Sequence, residues 1–173
     1  LEIGCGSGRN LIELALANPQ DSFIGLELRY KRLVLAAKKI ERQNIQNILL
    51  MRERGEFIDE YLPHKSMDCM HINFPDPWSK KARRKHRILS AEFLSKMHPH
   101  FRSKGELRFK TDHLEYFETV TDILQDLKTY TIIEHTTDLH RSEYNENNIL
   151  TEFEMLFKSK ENPPIGFLRA EVL

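Results

Sequence analysis

Two apolar rhythms alternate along the chain. Short apolar runs read as strands: Leu1 to Ile3, Ser22 to Leu28 (SFIGLEL), Asn47 to Met51 (NILLM), Met67 to Phe74 (MDCMHINF), Glu106 to Thr111 (ELRFKT), Thr131 to His135 and Leu150 to Lys158. Between them lie stretches with apolar residues at helical spacing. These are LIELALAN, ending at Pro19 and Gln20-Asp21, then about Tyr30 to Gln43, a short helix Gly55 to Leu62, a helix near Ala91 to His98, and Leu114 to Leu127. In the second of these helices, Leu33, Ala36, Ala37 and Ile40 fall on one face. Lys31, Arg32, Lys38, Lys39 and Arg42 lie largely away from it.

Strands alternating with helices predict an α/β fold with a mostly parallel sheet and helices on both faces. No helix separates the last two predicted strands, so they are expected to form an antiparallel pair at one edge. The longest irregular segments are Pro75 to Ser90 and Thr136 to Asn148, and long loops in compact domains often carry function.

Composition narrows the class. Of 173 residues, 40% are hydrophobic and 30% charged, the mix of one globular domain spanning 1–173. No apolar run approaches the length of a membrane span and no signal peptide is visible, so no membrane partner is expected. The 26 basic and 26 acidic residues cancel, so only a local concentration of charge could point to nucleic acid. Cys5 and Cys69 lack metal-ligand spacing and sit in apolar runs. They read as buried thiols of a reducing, cytoplasmic setting, and no metal is expected. Leu1 opens already inside a strand, and residues preceding it are expected to belong to the same domain. Monomer and homodimer both stay open.

Three features carry chemistry. Glu2-Ile3-Gly4-Cys5-Gly6-Ser7-Gly8 joins the first strand to a helix. Glycines there permit a tight turn and close approach of a ligand to the backbone. Position 9 is Arg rather than the glycine of a dinucleotide fingerprint. Glu2 would repel a pyrophosphate but attract an ammonium or sulfonium, which favours S-adenosylmethionine over NAD. Glu27 then closes the second strand, where a carboxylate accepts hydrogen bonds from ribose hydroxyls; the competing reading is a solvated strand end.

The third feature is the run Asn73-Phe74-Pro75-Asp76-Pro77-Trp78-Ser79-Lys80 and the basic residues after it. Asp76 follows the fourth strand, at the sheet end where ligands bind in such folds. Pro75 and Pro77 restrict the backbone on both sides of it. Trp78 can stack on a base or pack in the core. Lys80, Lys81, Arg83, Arg84, Lys85 and Arg87 can neutralise phosphates, and an RNA-facing ribbon is expected.

These residues, with Gly25-Leu26-Glu27, Lys110-Thr111-Asp112 and Thr151-Glu152-Phe153-Glu154, resemble the bacterial tRNA (guanine-N7)-methyltransferase family, in family order and over nearly the whole chain. The resemblance implies a Rossmann-like seven-stranded methyltransferase sheet and methylation of a variable-loop guanine in tRNA with S-adenosylmethionine as cofactor. It implies cofactor contacts from Glu2, Gly4, Gly6, Gly8, Glu27 and Asp76, and a catalytic role for Asp76. Lys80, Asp112, Thr151, Glu152, Phe153 and Glu154 would hold the substrate, and Ala82 to Arg87 would touch RNA. Asp112 and Glu154 are candidates for reading guanine. Two plain alternatives stand beside these roles: Asp112 as a helix N-cap, and Thr151 to Glu154 as a strand with one polar face. One departure is Arg54, where the family usually has an acid near the adenine; Glu53 and Glu56 flank it. Rival functions are another S-adenosylmethionine-dependent RNA or amino methyltransferase, an NAD-dependent oxidoreductase and a non-catalytic RNA-binding relative.

Overall fold

The computed structural model describes residues 1–157 and 163–173. In chain order the elements are β1 (Glu2–Ile3), α1 (Arg9–Ala17), β2 (Phe23–Leu26), α2 (Tyr30–Arg42), β3 (Ile48–Met51), β4 (Met67–Asn73), α3 (Ala91–Met97), β5 (Phe101–Thr111), α4 (Leu114–Leu127), β6 (Tyr130–Thr136), α5 (Glu152–Phe157) and β7 (Gly166–Val172). Short 3-10 turns at Gly55–Glu60, Lys81–His86 and Glu143–Asn147 occupy parts of the connections. The strands form one seven-stranded sheet in the order β3-β2-β1-β4-β5-β7-β6. Among the described residues, no helix is long and apolar enough to cross a membrane.

The chain divides into two compact units. The first comprises residues 1–55 and 147–162. Its strands are parallel, with Glu2 opposite Gly25 and Leu26 opposite Met51. Leu11, Ile12 and Ala15 of α1 are buried. A β-carbon on Gly25 would lie 2.4 Å from Leu11 Cδ2 and 3.0 Å from Cys5 Sγ, so glycine is what lets the helix and turn close on β2. The predicted apolar stripe of α2 is thinner than its sequence suggests. Only Ala36 of the helix is buried, Leu33 and Ile40 are half-buried, and Ala37 is exposed.

The second unit comprises residues 56–146 and 163–173. β4 and β5 run parallel, while β7 is antiparallel to both β5 and β6. Its core holds Met70 and Ile72 of β4, Leu107 and Phe109 of β5, Phe93, Leu94 and Met97 of α3, and Tyr116, Phe117, Val120 and Leu124 of α4. The aromatics meet at angles that aromatic quadrupoles favour: Phe109 meets Tyr116 edge to face with centroids 5.5 Å apart.

Two expectations fail here. The predicted strand Leu150 to Lys158 is helix α5 where it is described, and Lys158 lies outside the described residues. The cause is a capping box. Glu154 N–H donates to Thr151 Oγ1 at 3.2 Å, and Thr151 N–H donates to Glu154 Oε2 at 2.8 Å. This reciprocal pair satisfies the first backbone donors of a helix. The antiparallel edge exists, but its second member is β7, which inserts between β5 and β6. The N-cap of α4 is also displaced by one residue. His113 Nδ1, not Asp112, accepts from Tyr116 N–H, at 3.2 Å.

Candidate functional site

In the first unit, Gly4, Gly6 and Gly8 all adopt positive φ, at 77°, 57° and 84°. Such angles cost a side-chain-bearing residue strain, so glycine is required for this turn. The Gly4 and Cys5 N–H groups both donate to Leu26 O at 2.8 Å, folding the loop against the end of β2. A β-carbon on Gly8 would sit 3.0 Å from Ala36 Cβ, so the third glycine serves close packing of α1 on α2. Over Gly4 and Gly6, by contrast, a β-carbon would meet no atom within 4 Å. These two glycines leave the outer face of the loop open for a ligand.

Both predicted carboxylates stand at this loop. Glu2 is buried at 3% exposure, and Asn10 Nδ2 donates to its Oε1 at 3.2 Å. Glu27 is half-buried and accepts Gly6 N–H at 3.0 Å and Arg29 N–H at 2.7 Å. It is therefore oriented by the glycine loop itself, and each of its oxygens keeps a lone pair. Open glycines, a buried anion and an oriented anion fit the S-adenosylmethionine expected from the sequence, whose sulfonium and ammonium are cationic. Arg54, at the departure from the family pattern, is exposed, and its N–H donates to Glu53 Oε1 at 2.7 Å.

Pattern reading missed Lys39. Its ammonium donates to Ser7 O at 3.0 Å, to Ser7 Oγ at 2.8 Å and to Glu152 Oε1 at 2.6 Å. Ser7 Oγ in turn donates to Glu152 Oε1. Arg32 reaches Glu152 Oε2 at 3.2 Å, and Arg9 Nε donates to Leu150 O at 3.1 Å. Partial burial opposes ionisation of Glu152, but Lys39 and Ser7 outweigh it and hold its carboxyl below the usual carboxylate range. The glycine loop and the start of α5 are thus tied together, with Lys39 bridging Ser7 and Glu152 beside their direct hydrogen bond and the Arg9 contact. Of the predicted substrate residues, Thr151 and Glu154 are buried and form the capping box; Asn148 Nδ2 also donates to Glu154 Oε1 at 3.0 Å. Glu152 is spent on the ion pairs, and Phe153 is half-buried.

In the second unit the loop after β4 presents Asp76 exposed, between half-buried Pro75 and Pro77. Phe74 and Trp78, on either side, hold positive φ of 50° and 43°. A non-glycine residue there is strained by about 1–3 kcal/mol, and such strain persists only when the surroundings impose it. They do so at four points. Phe74 N–H donates to Lys110 O at 2.8 Å, and its ring packs on Leu139, Ile165 and Phe167. Arg87 Nε donates to Pro77 O at 2.7 Å. The Trp78 ring lies 5.5 Å from His86 and 5.9 Å from the Arg83 guanidinium. Ser79 Oγ lies 3.2 Å from His113 Nε2. Because His113 Nδ1 accepts from Tyr116 N–H, Nε2 carries the proton and donates to Ser79. Trp78 is therefore half-buried against the exposed basic turn rather than packed in the core.

The basic segment forms the 3-10 turn Lys81–His86, exposed throughout, with Lys80 exposed before it. Arg83, Arg84 and Lys85 remain on the surface, although Arg84 also pairs with Glu115 at 2.9 Å. Arg87 departs from the expected ribbon. It is 7% exposed, its guanidinium pairs with Glu115 at 2.5 Å and stands 4.5 Å over the Tyr116 ring. The same guanidinium beside Glu115 holds that carboxyl below the usual carboxylate range. Burial, meanwhile, pushes the Tyr116 hydroxyl up to about 12. Asp112 is exposed after β5. Cys5 is buried as expected, whereas Cys69 is only half-buried and lies 3.2 Å from His71 Nε2; neither is in a disulfide.

The family described as "Putative methyltransferase" matches residues 1–165. A bifunctional glycosyltransferase/methyltransferase of Fusobacterium nucleatum is 45% identical over 97% of this chain, which spans 26% of that protein. The tRNA (guanine-N(7)-)-methyltransferase of Mycoplasma pneumoniae is 36% identical over 92% of this chain and 77% of its own length. That of Enterococcus faecalis is 37% identical over 92% of the chain and 74% of its own length. Among solved structures, a SAM-dependent methyltransferase from Aquifex aeolicus matches with a TM-score of 0.65 at 12% identity, covering 99% of this chain and 80% of that one. An S-adenosylmethionine-dependent methyltransferase from Mesorhizobium loti matches with a TM-score of 0.64 at 14% identity, covering 98% and 88%. At those identities the likeness is one of fold.

Proposed function

Since the chain belongs to the tRNA (guanine-N(7)-)-methyltransferase family, we propose that it transfers a methyl group from S-adenosylmethionine to N7 of a variable-loop guanine in tRNA, in the cytoplasm. The observation that carries the reading is Asp76, held exposed beyond β4 between two strained aromatics and followed by a surface turn of Lys and Arg. Strain concentrated around one carboxylate is the mark of a positioned group.

The cofactor, when bound, supplies an electrophilic methyl on a sulfonium. Gly4 and Gly6 would leave room for it, Glu2 would hold its cationic end and Glu27 its ribose. Guanine N7 presents a lone pair and no proton, so the reaction needs no base to prepare the nucleophile. Asp76 instead stabilises the positive charge that develops on the purine, and a fixed anion does so without reorganising at the moment of reaction. A carboxylate also accepts from the guanine N1–H and exocyclic amine, a donor pair that adenine does not offer in the same arrangement. Asp112, exposed after β5, is the better placed of the two candidate guanine readers, because Glu154 is already spent on the α5 cap. Lys80, Arg83, Arg84 and Lys85 draw in the phosphates.

Radiolabelled cofactor and unmodified tRNA test the reading, with the product nucleoside mapped. N7-methylguanosine, recognised by its labile glycosidic bond, is the expected product. Asp76→Asn should lose about two orders of magnitude in turnover, the effect of removing one electrostatic stabiliser. Methylation of an exocyclic nitrogen, or tRNA binding without turnover, would transfer the chain to one of the rival functions.

A further inference from the structure

We propose that Arg87 is the positioning residue for Asp76 rather than a phosphate contact, and that Glu115 acts through it. The proposal rests on the methyltransferase reading, and its first readout does not.

Three observations converge. Arg87 Nε donates to the carbonyl of Pro77, the residue next to Asp76, at 2.7 Å. That guanidinium is anchored from behind: Glu115 accepts at 2.5 Å and 3.3 Å, Thr119 Oγ1 lies 3.5 Å away, and the Tyr116 ring sits beneath it at 4.5 Å. Its side chain is only 5% exposed, so a phosphate would have to displace these partners to reach it. Phe74 and Trp78, meanwhile, hold left-handed backbone that neither would keep unaided. Pro77 supplies no N–H, so its carbonyl is the polar backbone group at that residue by which the loop can be held. A buried planar fork with two edges engaged is rigid in a way an ammonium is not. Arg87 thereby links the N-terminal turn of α4 to the peptide that aims the carboxylate.

The basic run therefore splits in function within a few residues. Lys80 to Lys85 stay on the surface where RNA can reach them, Arg84 while also pairing with Glu115, whereas Arg87 turns inward and fixes the loop.

Trp78 is the only tryptophan of the chain and lies in this loop, so its fluorescence reports loop order without any substrate. In Arg87→Gln, acrylamide quenching of Trp78 should rise at least twofold, with circular dichroism showing the fold retained. With tRNA and cofactor, kcat should fall tenfold or more. KM for tRNA, and the salt dependence of tRNA binding, should stay within twofold. Lys85→Gln should do the opposite, flattening the salt dependence. Glu115→Gln should reproduce part of the kcat loss, and the double variant should be no worse than Arg87→Gln alone. Should Arg87→Gln fail to fold, Arg87→Lys serves, and an unchanged kcat with unchanged quenching in it overturns the proposal. So does a weaker tRNA affinity with a shallower salt dependence in either Arg87 variant. An inactive wild type with the quenching change intact would sink the functional reading and leave the loop assignment standing.

Discussion

Lys39→Met removes the cation that bridges Ser7 of the glycine loop to Glu152 of α5 while keeping a side chain of similar length. Three hydrogen bonds go with it, to Ser7 O, Ser7 Oγ and Glu152 Oε1. The two charged side chains are 33% and 32% exposed, so water screens them and the ion pair itself is worth at most about 1 kcal/mol. Ser7 is different. It is 4% exposed, and its carbonyl loses a donor that solvent replaces poorly, which costs about 0.5–1.5 kcal/mol. The loss lands on the residue next to Gly6, one of the two glycines whose outer face is open. If about 1–1.4 kcal/mol of it is felt by the bound cofactor, S-adenosylhomocysteine should bind roughly 5–10-fold more weakly. Titration calorimetry measures this directly, and thermal melting checks that the unit remains folded. Lys39→Arg, which keeps the charge but alters its geometry, should fall between the two. Affinity within twofold of wild type in a folded Lys39→Met protein would refute the idea that this tie shapes the cofactor loop.

Gly25→Ala places a β-carbon 2.4 Å from Leu11 Cδ2, 3.0 Å from Cys5 Sγ and 3.2 Å from Leu50 Cδ2, and Leu11 and Cys5 are both buried. Overpacking of this kind costs about 1–3 kcal/mol, or a Tm lowered by roughly 3–10 °C for a chain of this size; an unchanged Tm would contradict the packing. Glu115, hydrogen-bonded by Arg87, has a depressed carboxyl pKa in the folded chain. Its contribution is therefore complete above the ordinary carboxylate value of about 4.3 and is lost as pH falls through the lower folded value. With 39% of its side chain exposed, that contribution should be no more than about 1 kcal/mol. The stability difference between wild type and Glu115→Gln, from urea midpoints, should shrink below about pH 4; a difference that grows in acid would reverse the assignment.

What could be read without coordinates was local. The glycine turn, Glu27 at the end of a strand and Asp76 between two prolines each depend on residues within a few positions of one another, and backbone sterics act over that range. The alternation of apolar runs was enough for the parallel part of the sheet, because helix and strand differ in period. Where a short segment fits both periods, pattern reading erred: Glu152-Phe153-Glu154 alternates like a strand, yet the Thr151–Glu154 capping box, itself visible as T-x-x-E, starts a helix. β7 escaped because its place between β5 and β6 comes from pairing partners dozens of residues away.

Tertiary structure alone decided which charges are spent and which are offered. Nothing in the run of Lys and Arg after Trp78 separates Arg87 from its neighbours; burial against Tyr116 and pairing with Glu115 do. Lys39 looked like one more cation on a surface helix until Ser7 and Glu152 converged on it. The candidate residues could be named from sequence, while which of them hold the fold could not. A carboxylate or guanidinium is chemically the same in either role, and only its distance to a partner and its access to water tell the two apart.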